Sequence, residues 1–287
     1  MAKALTHSRP RRRSRSPAPS ASTLATSELD WRWGIHPVKE AIRSGRARHV
    51  WLAGSPPGRA RLATLRKIAA QADVPLTWVT QEELARLAPG RRHQNAVARV
   101  AQRPSLTVAE LVGTARRAGR DPLLLVLDQV QDPQNVGGIL RTAEAVAVDG
   151  VVVPERRSAP LGGTVSRASA GALEHLSFAQ ATSIAATLDE LKELGLWVYG
   201  LDPLGPNTYD EADYRRPVAL VVGSEGPGLR RLVAAKCDML LRLPLLGQVE
   251  SLNAAVATSI CLYHAAQHRQ QSGGRAHQQT ADHAGRA

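Results

Sequence analysis

From Pro122 onward the chain predicts an α/β fold built on a parallel sheet, on three observations. Short apolar runs without polar interruption, such as residues 123–127 and 218–222, suit strands buried on both faces. Segments of helical length separate them, and that alternation gives a parallel sheet with helices on both sides. At three places a strand runs into a loop rich in glycine and polar residues, where such sheets bind ligands.

Before that unit, residues 1–30 carry six Lys and Arg side chains against Glu28 and Asp30, and no apolar core of a secretory signal. Pro10, Pro17 and Pro19 oppose the amphipathic helix of an organellar transit peptide, the competing reading, so a disordered basic arm is expected. Residues 31–102 read as a compact α/β module. Its pattern predicts helices over 36–43, 60–71 and 81–87 and strands over 49–52, 76–79 and 96–100. A linker, 103–121, has room for one helix. The larger unit, 122–270, predicts strands over 123–127, 150–153, 197–200, 218–222 and 239–243, with helices over 136–147, 184–194 and 252–267. The polar tail, 271–287, is expected to fray as disordered chain.

At 287 residues and 43% apolar composition the chain can bury a substantial core in one or two domains. Its net charge of +12 favours a polyanionic partner such as RNA. Cys237 and Cys261, its only cysteines, lack metal-ligand spacing and suit a reducing, cytoplasmic setting. No apolar run is long enough for a membrane span.

The first junction is LDQVQDPQNVGGILRTAEAV, residues 127–146. Asn135 is read at a helix N-cap, with Gly137 and Gly138 in the first turn and Arg141 six residues on; a plain cap and a site residue are both open for Asn135. The second is ALVVGSEGPGL, residues 219–229, whose glycines let backbone approach a ligand and whose Glu225 sits between flexible turns. It fits neither a dinucleotide fingerprint nor a Walker loop. The third is LRLPLLGQVESLN, residues 241–253, where Ser251 is read as the cap of the last helix.

Together the three segments resemble the signature motifs of the SpoU (TrmH-like) branch of the SPOUT RNA methyltransferases, nearest the subgroup that modifies guanosine in 23S rRNA. Residues 31–102 look like that family's L30e-like substrate-binding domain. The resemblance implies a knotted α/β methyltransferase domain and a homodimer. It also implies S-adenosylmethionine as methyl donor, held by Gly223, Leu243 and Leu252. The implied reaction methylates the ribose 2′-hydroxyl of a guanosine in the peptidyl-transferase loop of 23S rRNA; a tRNA target and a non-catalytic ribosome-assembly role are the alternatives. Arg141, Asn135, Glu225, Ser251 and Asn253 are implied at the reacting centre, and no metal is. Arg141 stays cationic at neutral pH, which suits orientation and anion stabilisation and not proton abstraction. Asn135, Ser251 and Asn253 are expected to position it and the ribose, with Glu225 pairing with Arg141 or holding the pocket loop.

Two departures from the family pattern are mild: Leu245 where methionine is usual and Ala255 where serine is frequent. His93-Gln94-Asn95 resembles the usual His-Gln-Gly, and since Asn tolerates positive φ the turn is expected to survive the lost glycine. Other constellations are weaker. His264 and His268 share a helix face but lack a third ligand, and are expected on an exposed helix end. Asp128 and Asp132 suit capping. Ser251 has no His and Asp partners in hydrolase order.

Overall fold

The computed structural model describes residues 31–54, 60–226 and 228–284, with side chains through residue 271; the basic arm lies outside the described residues. Two sheets organise the chain. The first comprises β1 (Trp31–Trp33), β2 (Ala47–Ala53), β3 (Leu76–Val79) and β4 (Ala96–Val100), in the order β1-β4-β2-β3. Helices α1 (Ile35–Arg43) and α2 (Ala63–Gln71) cover one face, and α3 (Gln81–Leu87) packs on the other. Thr80 opens α3 with a reciprocal cap, its hydroxyl accepting from the Glu83 amide while Glu83 returns to the Thr80 amide. Gln94 and Asn95 turn into β4 with φ of 49° and 65°, and Asn95 is a residue type that tolerates this region without glycine.

After α4 (Val108–Arg117), the seven strands of the second sheet are β5 (Leu123–Asp128), β6 (Gly150–Pro154), β7 (Phe178–Ala181), β8 (Trp197–Leu201), β9 (Asn207–Thr208), β10 (Val218–Gly223) and β11 (Met239–Arg242). Their order is β7-β6-β5-β10-β8-β11-β9, and every pairing is parallel. Between them run α5 (Pro133–Ala145), α6 (Gly163–Ala168), α7 (Ile184–Glu193) and α8 (Arg231–Lys236), and α9 (Ala254–Ala284) closes the chain. Alternate residues of β5 face opposite layers: Leu123, Leu125 and Leu127 meet α5 and α9, while Leu124 and Val126 meet α4 and α7. Late in sequence, β10 enters between β5 and β8. The chain passes beyond β8 to β11 and then returns across the sheet to lay α9 on α5, the connectivity of the knotted α/β fold.

Each expected strand is found. Three further strands, β1, β7 and β9, were not expected, because WRW, FAQA and NT are too short to show a period. The helix over 136–147 begins earlier than expected, at Pro133. Asp132, and not Asn135, is its N-cap, with its carboxylate accepting from the Gln134 amide at 3.0 Å. Proline suits the first helical position because it lacks an amide that would go unpaired there. The last helix starts at Ala254, so Ser251 does not cap it, and it continues through Ala284, past the expected frayed end. No proline interrupts it, and each added residue gains one backbone hydrogen bond.

A buried ion cluster joins the two sheets. Glu174, in the 3-10 turn Ala172–Glu174, accepts from Arg32 of β1, Arg46 and Ser166, with Arg103 at 3.7 Å. Burial pulls its pKa up, but the charges of Arg32, Arg46 and Arg103, with the Arg32 hydrogen bond, hold it below the usual glutamate value. Beside it the Trp33 ring lies against Gly163, where any Cβ would collide with the indole. Glu174→Gln should lower stability at neutral pH by about 3–5 kcal/mol, because it leaves buried arginines without their counter-charge. A depressed carboxylate pKa contributes above the unfolded value of 4.5 and is lost as pH falls through the folded value. Melting curves of the two proteins should therefore converge as the pH drops below that range.

Candidate functional site

Parallel pairing places the carboxyl ends of β5, β8, β10 and β11 on one sheet edge, with Gly223 opposite Asp128. Three sequence segments far apart in the chain meet there. Asp128, fully buried at the end of β5, binds Arg230 at 2.6 and 2.8 Å and accepts from its amide at 3.2 Å, so it fastens the loop after β10. The pairing expected of Asp128 was capping; an ion pair across 102 positions leaves no mark in local spacing.

Asn135 occupies the first turn of α5 and is 6% exposed. It donates to Glu225 and accepts from the Asn253 side-chain amide at 2.9 Å, while the same Asn253 amide donates to Glu225 at 2.8 Å. Asn253 Oδ1 also caps α9, accepting from the amides of Ala255 and Val256 at 2.9 and 3.3 Å. One side chain thus starts the final helix and ties it to both other junctions. Glu225 is held by the two asparagines, and its hydrogen bonds are to these and not to Arg141.

Beside the triangle lies a cavity of about 310 Å³. Gly223, Leu243, Leu252 and Ser251 line it, together with Leu201, Asp202 and Pro203 from the end of β8. The β8 contribution was not anticipated; only strand order brings that end beside β10 and β11. Among the described residues, Asp202 and Glu225 are the cavity's only charged groups, so it is acidic within a chain of net charge +12. Gly223 is required by packing, since a Cβ there would overlap the backbone of Gly228.

Arg141 does not join this group within one chain. It is exposed on α5, about 120° around the helix from Asn135, and has no hydrogen bond or ion pair among the described residues. Gly138 approaches Ala255, and Thr142 lies 2.8 Å from Ser259, so α5 and α9 run parallel along this seam. Arg141 emerges on its outward side, beside exposed Val256, Ile260 and Tyr263 of α9.

His264 is half-buried and packs edge-on against Tyr209 and Tyr214, with His268 also against Tyr214, so neither is on an exposed helix end. Among the described residues no group of three or more metal-ligating side chains is present. Burial pushes the thiols of Cys237 and Cys261 up to about 12, which keeps both protonated and unreactive at neutral pH.

The fold and site define a parallel-sheet α/β protein with a ligand pocket under its crossed connections and a separate small sheet beside it. Residues 122–263 match the model of the SpoU rRNA Methylase family, and residues 33–106 match RNA 2′-O ribose methyltransferase substrate binding. The chain is 40% identical over 237 residues to the 23S rRNA (guanosine-2′-O-)-methyltransferase RlmB of Pseudomonas aeruginosa, covering 80% of this chain and 93% of that protein. It is 38% identical over 240 residues to YacO of Bacillus subtilis, named to the TrmH family of tRNA/rRNA methyltransferases, covering 83% and 95%. The crystal structure of the SpoU methyltransferase AviRb from Streptomyces viridochromogenes superposes with a TM-score of 0.68 at 25% identity, covering 85% and 90%. The chain belongs to the SpoU, or TrmH, family of RNA 2′-O-methyltransferases.

Asn253→Ser keeps a helix cap but removes the amide that reaches Asn135 and Glu225, whereas Asn253→Ala removes both. The alanine variant should lose about 1 kcal/mol more stability in denaturant titrations than the serine variant, the usual value of a cap. Both should weaken binding of a ligand to the cavity, measured by calorimetry.

Proposed function

We propose that this enzyme transfers a methyl group from S-adenosylmethionine to the ribose 2′-hydroxyl of a guanosine in the peptidyl-transferase loop of 23S rRNA. The observation that carries the donor assignment is the cavity's chemistry. Leucines and Pro203 offer apolar walls for an adenosine, strand-end backbone offers hydrogen bonds, and Asp202 and Glu225 match a cationic sulfonium in a chain otherwise rich in positive charge. The residues present therefore fit the group, with Gly223, Leu243 and Leu252 holding it. When bound, it supplies an electrophilic methyl carbon. The rRNA assignment is supported by relatives named for 23S rRNA guanosine that align across both matched regions.

A ribose hydroxyl is a weak nucleophile, and much of the barrier can be removed by alignment. The Asn135–Glu225–Asn253 triangle fixes the pocket wall, and Ser251 at its rim can orient the ribose. Arg141 binds the 2′-oxygen and the adjoining phosphate as a fixed cation and stabilises the charge that develops as the hydroxyl proton passes to that phosphate and on to water. Since Arg141 stands beside the exposed Val256, Ile260 and Tyr263 stripe, a second copy of the chain covering that stripe completes the reacting centre, and the working species is a homodimer.

Arg141→Ala should reduce methyl transfer by at least a hundredfold while leaving donor affinity within about twofold, as read by single-turnover assay and calorimetry. Mapping ribose methylation in rRNA and tRNA from cells with and without the gene identifies the target: loss of one 23S guanosine site supports the reading, and loss of a tRNA site replaces it. Ile260→Asp should shift the protein towards monomer in sedimentation and reduce transfer in parallel.

A further inference from the structure

A groove of about 390 Å³ runs between the two sheets, separate from the donor cavity. Arg91 and Arg92 line it from the small sheet's side, Arg167 and Thr164 come from α6, and Gln134 comes from the first turn of α5; Trp33 completes the wall. Among the described residues, three arginines face it and no acid does. Such a lining is costly in self-repulsion unless an anion occupies it.

The groove is built, and it points somewhere. Arg167 donates to the Arg92 carbonyl, and Arg91 stacks over the Trp33 ring at 4.9 Å from its centre, so two of the cations are held from opposite sides. Trp33 is 5% exposed and seated on Gly163, next to the Glu174 cluster, so the distance between the walls is set by buried contacts. Gly137 has Ala168 pressed against it, where a Cβ would collide, and this brings α6 and Arg167 onto the first turn of α5. Gln134 and Arg141 are seven residues apart on α5, which puts them on the same face, roughly 20° apart and about 10 Å along the axis. Arg91, Arg92, Arg167, Gln134 and Arg141 therefore form one line from the small sheet to the proposed reacting centre. Asn135, the next residue after Gln134, faces inward to the donor cavity.

We infer that this inter-sheet groove is a phosphate-binding track that holds the RNA backbone flanking the target nucleotide. Guanidinium groups bind phosphate oxygens in bidentate pairs, and a line of them fixes register without reading bases. The strand enters over Arg91 and Arg92, passes Arg167 and Gln134, and delivers its next sugar to Arg141. The inference rests on the proposal that RNA is the substrate, and it assigns the small sheet a part in aiming the ribose as well as in affinity.

The test measures binding of a transcript containing the peptidyl-transferase loop, and of a tRNA transcript, to the full-length protein over a series of salt concentrations. Arg92→Ala should weaken binding of both and lower the slope of log affinity against log salt by about 0.7 for each phosphate it no longer neutralises, the value for single strands. Arg92→Lys should restore most of the slope, because it keeps the charge. Donor affinity, measured on the same variants, should not change. An unaltered slope in Arg92→Ala and in Arg91→Ala overturns the track, as does a drop in affinity that salt does not modulate, which would indicate a protein partner or a shape contact. If the unaltered protein fails to bind S-adenosylmethionine, the donor assignment falls while the slope still decides the track.

Discussion

Pairing of β10 between β5 and β8 is the constraint on which the remaining structure depends. A strand that arrives late and enters the middle of the sheet puts its own loop between two others already formed. The chain must then leave on the far side of β8 and come back to pack α9 on α5. The pocket follows from that order: β10 beside β5 sets Asp128 against Arg230, and the return of α9 lets Asn253 reach both Asn135 and Glu225. Parallel sheets buried on both faces can carry such a connection because the strands need no solvent-facing side, and the apolar layers under α5, α9, α4 and α7 enclose it.

Charge is partitioned between two separate places on the surface. The cavity at the strand ends holds two carboxylates and, among the described residues, no cation, whereas the groove at the junction with the small sheet is lined by three arginines and Arg141 stands exposed on α5. Neighbouring residues of one helix turn serve the two places: Asn135 bonds to Glu225 beside the acidic cavity, and Gln134 lines the arginine groove. The Glu174 cluster keeps the two sheets in register, and it does so with a buried charge that water cannot compete for.

Much of this was legible in the chain. The strands of the large sheet appear as unbroken apolar runs, and the end of β10 is marked by glycine before polar residues. Asn135, Glu225, Ser251, Asn253, Gly223, Leu243 and Leu252 do lie at one sheet edge. Local signals misled at both caps. Asn135 and Ser251 each look like an N-cap, yet Asp132 with Pro133 starts one helix and Asn253 starts the other, since a side chain that satisfies helix amides outcompetes one that satisfies none. Arg141 belongs to a motif but turns to a different face of α5 from Asn135, which a spacing of six residues already requires. The β8 end, the Asp128–Arg230 pair and the Glu174 cluster are absent from any local pattern.

What the sequence determined by itself is the alternation of buried strands and helices and the residue types at each strand end, because these follow from hydrophobic period, glycine conformation and proline placement within a few residues. Which strand ends become neighbours was decided only by the tertiary structure. The order β5-β10-β8-β11 brings together side chains up to 118 positions apart, such as Asn135 and Asn253. Contacts over that distance depend on how apolar layers pack and on which buried polar groups find partners, and neither is written in any one segment.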